Sequence, residues 1–470
     1  MLHDDRLFPA DPVTRTIARR LYAEIRDLPI ISPHGHTDPA WFAGNEAFSN
    51  PSDLLIVPDH YLLRMLYSQG VRLEDLGVPR LDGGPIETDP RRIWRRVAER
   101  WDLFRGTPTR LWWDYALQTV FGVTGRLSAA TADAAYDRIA DCLGRPEFRP
   151  RALFERFNIE VLATTESPLD PLDHHKALQR SGWSGRVVTT FRPDPVLDPE
   201  TPGFLANLEE LGRMTGEDTG RWSGYRAALA QRRLDFKALG ATATDHGHPR
   251  ATTADLASAE AEALFDRIRA QLRDGRLAPE AADLFRGQML TEMARLSLED
   301  GLVMQIHPGV YRSHNHPLWE TFGANRGDDI PVRTDYVGAL KPLLNRFGNE
   351  RDLTIILFTV DETSYARELA PLAGHYPALR LGPAWWFHDS PEGMRRYREQ
   401  MTETAGFYNT VGFNDDTRAF PSIPARHDVA RRADCAFLAR LVAEHRLDED
   451  EARDLAVELA YTLAKKAYRL

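Results

Sequence analysis

Short apolar runs recur from about residue 157 onward, and each is followed by a segment with the apolar spacing of a helix. One further run of this kind, ending at Ile31, comes much earlier in the chain. Parallel strands that are buried on both faces read as continuous apolar runs, and helices connect them. Besides the first run, the predicted strands are 159–165, 186–191, 236–242, 302–306, 353–358, 379–386 and 410–414. Eight such units favour a closed (β/α)8 barrel of the TIM type over an open doubly wound sheet.

The first and second runs are separated by about a hundred residues that show no alternation of strands and helices. This segment is rich in Trp, Arg and Leu, and several stretches have helical apolar periodicity. We therefore predict one barrel domain, residues 1–470, that carries a helical insertion at 40–156. A lead-in helix is expected before the first strand, because Asp11 and Pro12 precede apolar positions at helical spacing.

Candidate chemistry lies where the strands end, since the active sites of barrels form at the carboxyl ends of their strands. The first strand runs into His34-Gly35-His36, and the i, i+2 spacing of a strand places both imidazoles on one face. The other runs end in or run into polar residues: Thr164-Thr165-Glu166, Arg192, Asp245-His246, His307, Asp361-Glu362, His388-Asp389 and Asp415-Asp416-Thr417-Arg418. One rim of the predicted barrel is thus almost wholly polar.

Two histidines and a carboxylate suffice to hold a divalent cation such as Zn²⁺ with a position left open. Strands 1 and 8 are neighbours in a closed barrel, so an aspartate of the last run is within reach of His34 and His36. On this reasoning alone His307 fits a metal ligand, a substrate contact or a proton carrier. Asp245-His246 fits a loop turn with a helix cap at least as well as a site.

Arg192 and Arg418 suggest an anionic substrate, because guanidinium groups bind carboxylates through paired charge-assisted hydrogen bonds. Either arginine could instead pair with an acidic residue of the rim. Tyr61 fits a proton relay or the core of the insertion.

Bulk composition is that of a globular protein, with 43% hydrophobic and 27% charged residues. The net charge of −10 argues against nucleic acid or an anionic membrane as the main partner. With two distant cysteines, no signal peptide and no long apolar segment, the sequence predicts a cytoplasmic protein. A homo-oligomer is compatible with the Trp-rich insertion, although the same residues could fill the core of one chain.

Taken in order, these motifs resemble the uronate isomerase (glucuronate isomerase) family, an outlying member of the amidohydrolase superfamily of metal-dependent barrels. The resemblance covers nearly the whole chain. It rests on His34-Gly35-His36, Asp59-His60-Tyr61, Thr164-Thr165-Glu166-Ser167-Pro168, Phe191-Arg192-Pro193-Asp194, His307-Pro308-Gly309, Trp385-Trp386-Phe387, Asp416-Thr417-Arg418 and Arg426-His427.

The resemblance implies an aldose–ketose isomerase of hexuronate catabolism, which interconverts D-glucuronate with D-fructuronate and D-galacturonate with D-tagaturonate. It implies one divalent metal, usually Zn²⁺, held by His34, His36 and Asp416. Substrate contacts would come from His60, Arg192, Trp386 and Arg418, and catalytic groups would be Asp416, Tyr61 and His307. The group that removes the C2 proton is left open between Asp416, Tyr61 and a metal-bound hydroxide.

Three positions depart from the family pattern. Gly35 stands where the family often has Cys, Glu166 stands where it usually has Asp, and Asp415 adds a carboxylate beside the expected ligand. The Asp-x-Arg spacing selects Asp416 as the ligand.

The main alternative is a mononuclear metal-dependent hydrolase of the same superfamily, in which the metal activates water. Binuclear members of the superfamily use a carboxylated lysine at the end of strand 4, and the run 236–242 has its only lysine, Lys237, near its start.

Overall fold

The parallel sheet at the centre of the molecule carries the polar rim predicted above. The computed structural model describes residues 2–470. Seven strands pair in parallel, in the order β1-β2-β3-β4-β5-β8-β9. They are β1 (Ile30–Ser32), β2 (Ile159–Glu166), β3 (Arg186–Phe191), β4 (Ala243–His246), β5 (Val303–Ile306), β8 (Ile355–Leu357) and β9 (Leu379–Leu381), while the short antiparallel pair β6 (Val310–Tyr311) and β7 (Ile330–Pro331) lies apart from them.

The eighth predicted strand, 410–414, does not form as a regular strand. Its segment makes one bridge, Leu381 to Thr410, and the next contact along the ring is the hydrogen bond from His36 N to Thr417 O at 3.0 Å. Gly412 has φ +75°, and a Cβ there would lie 2.8 Å from the Leu459 carbonyl oxygen. The close approach of the C-terminal helix interrupts the pleat here, and an irregular segment completes the ring between β9 and β1.

The stretch between β1 and β2 contains helices joined by turns and irregular segments, and no strand. They are α2 (Pro39–Gly44), α3 (Pro51–Leu55), α4 (His60–Ser68), α5 (Pro90–Glu99), α6 (Pro108–Tyr115), α7 (Ala132–Leu143) and α8 (Pro150–Arg156). Trp94, Trp101 and Trp113 are buried in a core that these helices share. The tryptophans thus fill the interior of one chain, and a homo-oligomer stays a prediction.

The remaining helices surround the sheet. The lead-in helix α1 (Pro12–Ile25) begins as predicted, with the Asp11 side chain accepting a hydrogen bond from Thr14 N. The others are α9 (Asp173–Arg180), α10 (Asp194–Leu197), α11 (Phe204–Thr215), α12 (Trp222–Ala238), α13 (Ser258–Arg273), α14 (Pro279–Asp300), α15 (His316–Phe322), α16 (Lys341–Phe347), α17 (Ala370–Ala373), α18 (Pro391–Ala405), α19 (Ile423–Ala443), α20 (Glu449–Val457) and α21 (Leu463–Tyr468). None of the helices described is long and apolar enough to cross a membrane.

Two strand predictions were wrong in their bounds. The run 236–242 is not a strand: Phe236 belongs to the buried face of α12 with Tyr225, Leu229 and Arg232, and β4 starts only at Ala243. Short apolar runs do not distinguish a helix end from a strand, which explains the error. The run 379–386 is a strand only to Leu381, and Trp386 lies beyond it in a short helical turn with φ +53°.

Candidate functional site

A cavity of about 320 Å³ opens at the carboxyl ends of the strands. Every site residue predicted from the sequence lines it: His34, His36, His60, Tyr61, Arg192, His307, Trp386, Asp416 and Arg418. The barrel therefore gathers into one cavity residues that lie more than 380 positions apart in the chain.

Three of these residues form a compact group of ligand atoms. One atom each of His34, His36 and Asp416 lies within 4.8 Å of the others. Asp416 Oδ1 is 3.6 Å from His34 Nε2 and 3.3 Å from His36 Nε2. His307, whose role the sequence left open, lies outside this group.

The protonation states of this group suit a divalent cation. Burial lowers the pKa of His36 to about 4, so the imidazole is neutral at pH 7. Burial by itself would raise the pKa of Asp416, but the neighbouring His36 and His34 and a hydrogen bond from the Trp385 indole hold it well below its usual range. Asp416 Oδ1 is buried and has no hydrogen-bond donor. Two imidazoles and an ionised carboxylate with a free oxygen atom are a donor set that Zn²⁺ accepts.

The backbone of Asp416 adopts an uncommon conformation. This residue has φ +37°, a conformation that non-glycine residues rarely adopt and that occurs often at functional sites. The side chain of its neighbour Asp415 contacts a different histidine, and Asp415 Oδ2 lies 3.0 Å from His427 Nε2. The structure thus separates two adjacent aspartates that the sequence alone could confuse.

A buried side chain orients His34 from behind. Gln305 Nε2 lies 3.5 Å from His34 Nδ1, and Gln305 Oε1 accepts a hydrogen bond from the Tyr468 hydroxyl at 2.9 Å. Tyr468, in the last helix α21, thus contacts the glutamine that lies behind the first histidine. Partners of this kind set the orientation of a metal-ligating imidazole.

His60 and Tyr61 reach the cavity from the first turn of α4. Asp59 caps this helix by accepting hydrogen bonds from Tyr61 N and Leu62 N at 2.9 and 3.2 Å. The two rings stack at 4.4 Å, and burial raises the pKa of the Tyr61 hydroxyl, so it keeps its proton. Arg426 lies over Tyr61 and pairs with Asp389 at 2.5 Å.

Asp245 takes part in the site, although the sequence analysis gave a loop turn with a helix cap at least equal weight. It lies inside β4, not in a loop turn, and is completely buried. Its Oδ1 is 2.8 Å from His307 Nε2 and its Oδ2 is 3.3 Å from an Arg192 Nη atom. Burial opposes ionisation here, but the neighbouring His307, His34 and Arg192 hold the pKa of Asp245 well below its usual range. A buried carboxylate thus orients both His307 and Arg192.

Cationic side chains line much of the remaining cavity. Among the described residues, no carboxylate lies within 4.0 Å of the guanidinium of Arg418 or Arg64, whereas Arg312 pairs with Asp329 at 2.9 Å. The sequence analysis missed Arg64 and Arg312. Arg64 could have been found, because it follows His60 by one helical turn on the same face of α4. Arg312 lies in the turn that follows the two-residue strand β6, where no periodicity marks it.

Gly35 and Glu166 are two of the three positions that depart from the family pattern, and neither belongs to the group of ligand atoms. A Cβ at Gly35 would make ordinary contacts of 3.5 and 3.6 Å with the carbonyl oxygens of Ala163 and Thr417. Glu166 is buried behind β2 and accepts a hydrogen bond from the Thr189 hydroxyl.

Glu166 should make the protein less stable as the pH rises. Burial raises its pKa from 4.5 to about 7. A carboxyl whose folded-state pKa is raised contributes stability that is fully present below pH 4.5 and is lost as the pH rises through 7. The linkage amounts to about 3 kcal/mol. We expect Glu166→Gln to flatten the fall in melting temperature between pH 5 and pH 7.5. Glu209→Gln, on the surface helix α11, is the control, and an unchanged pH profile in Glu166→Gln would contradict the assignment.

The ring of parallel strands, with a histidine pair after the first strand and an aspartate after the last, defines an α/β barrel that carries a group of potential metal ligands at the carboxyl ends of its strands. A Lactobacillus casei protein named as a metal-dependent hydrolase has the same fold, with a TM-score of 0.55 and 15% identity, covering 96% of this chain and 97% of that one. A family model described as glucuronate isomerase matches residues 12–468, and the chain belongs to this family.

Two further relatives agree with this assignment. The uronate isomerase of Rhizobium meliloti is 66% identical over 470 residues, which cover 100% of this chain and 99% of that protein. The glucuronate isomerase from Caulobacter crescentus, whose crystal structure is known, is 60% identical in sequence. The two structures superpose with a TM-score of 0.97, and the match covers 100% of this chain and 97% of that one. The family predicted from the motifs is thus confirmed.

Proposed function

We propose that the protein is an aldose–ketose isomerase that interconverts D-glucuronate with D-fructuronate and D-galacturonate with D-tagaturonate. Family membership supports this reaction. The observation that carries it in the site is the pair of guanidinium groups, Arg418 and Arg64, that face the cavity without a carboxylate partner of their own. Cations left free beside a group of metal-ligand atoms call for an anionic substrate such as a sugar acid.

The sugar acid would be held in its open-chain form. Arg418 and Arg192 would bind its carboxylate, with Arg192 kept in place by Asp194 at 3.0 Å and by Asp245. His60 and Trp386, whose rings lie 6.1 Å apart, would pack along the carbon chain. Fixing the substrate between a cationic end and the histidine pair places C1 and C2 beside the acid–base groups, which lowers the entropic part of the barrier.

The cation held by His34, His36 and Asp416 would polarise the oxygen atoms of the reacting carbons, and Zn²⁺ suits the donor set. The residues of the chain would move the protons. Asp416, which is ionised, would take the proton from C2 and, after exchange of that proton with solvent, would protonate C1. Tyr61, which keeps its hydroxyl proton, would donate to the carbonyl oxygen at C1. His307, oriented by Asp245, would accept the proton from the C2 hydroxyl.

Family membership favours the isomerase over the mononuclear hydrolase alternative. The structure also gives no support to a binuclear hydrolase. The end of β4 bears Asp245 and His246 and no lysine, so the bridging carboxylated lysine of binuclear hydrolases has no equivalent at that position. Lys237 is on α12, where its amino group donates to the Asp300 carbonyl oxygen.

An NMR assay in D₂O tests the proposal. With metal-loaded enzyme and D-glucuronate, we expect the ketose signals to grow and deuterium to appear at C1 as the C2 proton signal is lost. D-glucose, which carries a CH₂OH group at C6 in place of the carboxylate, is the matched control and should not turn over. Absence of ketose from both glucuronate and galacturonate would refute the proposed reaction.

A further inference from the structure

A second group of metal-ligating side chains lies beside the cavity. One ligand atom each of Asp194, His246 and His248 lies within 4.8 Å of the others. The group shares no residue with His34, His36 and Asp416. His246-Gly247-His248 repeats, after β4, the His-Gly-His spacing that follows β1. The sequence analysis considered His246 alone and missed the pair.

The imidazoles of this group carry nitrogen atoms without partners. His248 is 2% exposed, and neither of its ring nitrogens has a hydrogen-bond partner within the described residues. His246 is 0% exposed, and its Nδ1 likewise has none. A buried polar atom left unpaired costs about 1–3 kcal/mol, and such atoms are rare in native proteins. Three of them in one group indicate a ligand.

The surroundings of the group hold each side chain in a ligating orientation. His246 Nε2 lies 3.0 Å from Thr244 Oγ1, which leaves Nδ1 as the free ligand atom. Asp194 accepts hydrogen bonds from Gly247 N at 3.1 Å and from Arg192 Nε at 3.0 Å.

Gly247 is the spacer between this group and the cavity. A Cβ at this position would lie 2.5 Å from Arg192 Nη2, 2.8 Å from His307 Cε1 and 2.9 Å from Asp194 Oδ2. Only a residue without a side chain lets Asp194 approach the two histidines while Arg192 and His307 pass on its other side.

We propose that Asp194, His246 and His248 form a second binding site for a borderline divalent cation of the Zn²⁺ class. Two imidazole nitrogens and one carboxylate oxygen are the same donor set as at the first site, and they leave a coordination position for water. Asp194 also binds Arg192, so a cation held there fixes the side chain that faces the cavity. The site thus orients the cavity arginine from behind, without touching the substrate.

Metal stoichiometry tests the proposal directly. After removal of metal by a chelator, the full-length protein is titrated with Zn²⁺ and bound zinc is measured by elemental analysis. We expect two equivalents for the unaltered protein and one for His248→Gln. One equivalent is also expected for His36→Gln, which affects only the first site, and none for the double variant. His316→Gln, at an exposed histidine, is the matched control and should keep two.

A single zinc equivalent in the unaltered protein, lost in His36→Gln and kept in His248→Gln, would overturn the second site and leave the first one standing. Should His248→Gln fail to fold, crystals of the unaltered protein grown with Zn²⁺ decide the matter. An anomalous difference peak between Asp194, His246 and His248 supports the site. A peak at His34, His36 and Asp416 alone refutes it.

Discussion

Replacement of Asp416 by Asn is expected to lower kcat/KM for D-glucuronate about 10³-fold or more and to release the metal from the first site. The amide keeps the volume of the side chain and can still accept the hydrogen bond from Trp385. It carries no charge for the cation and cannot accept the C2 proton, and loss of a general base by itself costs roughly 10²–10⁴ in rate. Steady-state kinetics together with bound-zinc analysis measure both effects.

Asp415→Asn is the matched control for Asp416→Asn. The two positions are adjacent, both are aspartates, and Asp415 is buried against His427 instead of facing the cavity. We expect Asp415→Asn to lower the melting temperature while the metal of the first site stays bound. Retention of zinc and of turnover in Asp416→Asn would show that Asp416 is neither ligand nor base.

Replacement of Arg192 by Met is expected to lower kcat/KM for glucuronate about 10²–10³-fold, mainly through a higher KM. Truncating one partner of a buried charge pair costs roughly 2–5 kcal/mol. Asp194 and Asp245 hold the Arg192 guanidinium in position, at 3.0 and 3.3 Å. Steady-state kinetics with glucuronate over a range of concentrations separates the effect on KM from that on kcat.

The Arg192 variant also leaves Asp194 and Asp245 with fewer partners. Part of the loss of activity can therefore come from disturbed packing around these carboxylates and not from weaker binding of the substrate. Arg418→Met separates the two causes, since Arg418 makes no ion pair of 4.0 Å or less within the described residues. We expect a loss of similar size in Arg418→Met with an unchanged melting temperature. Full uronate turnover in Arg192→Met would contradict the assignment of Arg192 to the substrate carboxylate.

Much of the site was predictable because strand ends are local signals. His34, His36, Arg192, His307 and Arg418 follow apolar runs in the chain, and the rule that barrel sites form at the carboxyl ends of strands needs no further information. Asp245 stood at such an end as well. It was undervalued because the misplaced strand 236–242 put it in a loop.

Other features depend on packing that no local pattern encodes. Arg312 enters the cavity from a turn, and the last run loses its strand geometry because the C-terminal helix presses against Gly412. Which of Asp415 and Asp416 faces the histidines is set by a backbone turn at φ +37°, a conformation that the residue types do not reveal.

The sequence by itself determined the class of fold, the family and the residues of the rim, because apolar periodicity and residue type at strand ends are properties of short segments. The tertiary structure decided how those residues pair. The contact of Asp245 with His307 and Arg192, and the meeting of Asp194 with His246 and His248, join separate strands and loops. Such contacts depend on closure of the ring and on the room left by Gly247, and distances between strands are set only when the whole barrel packs.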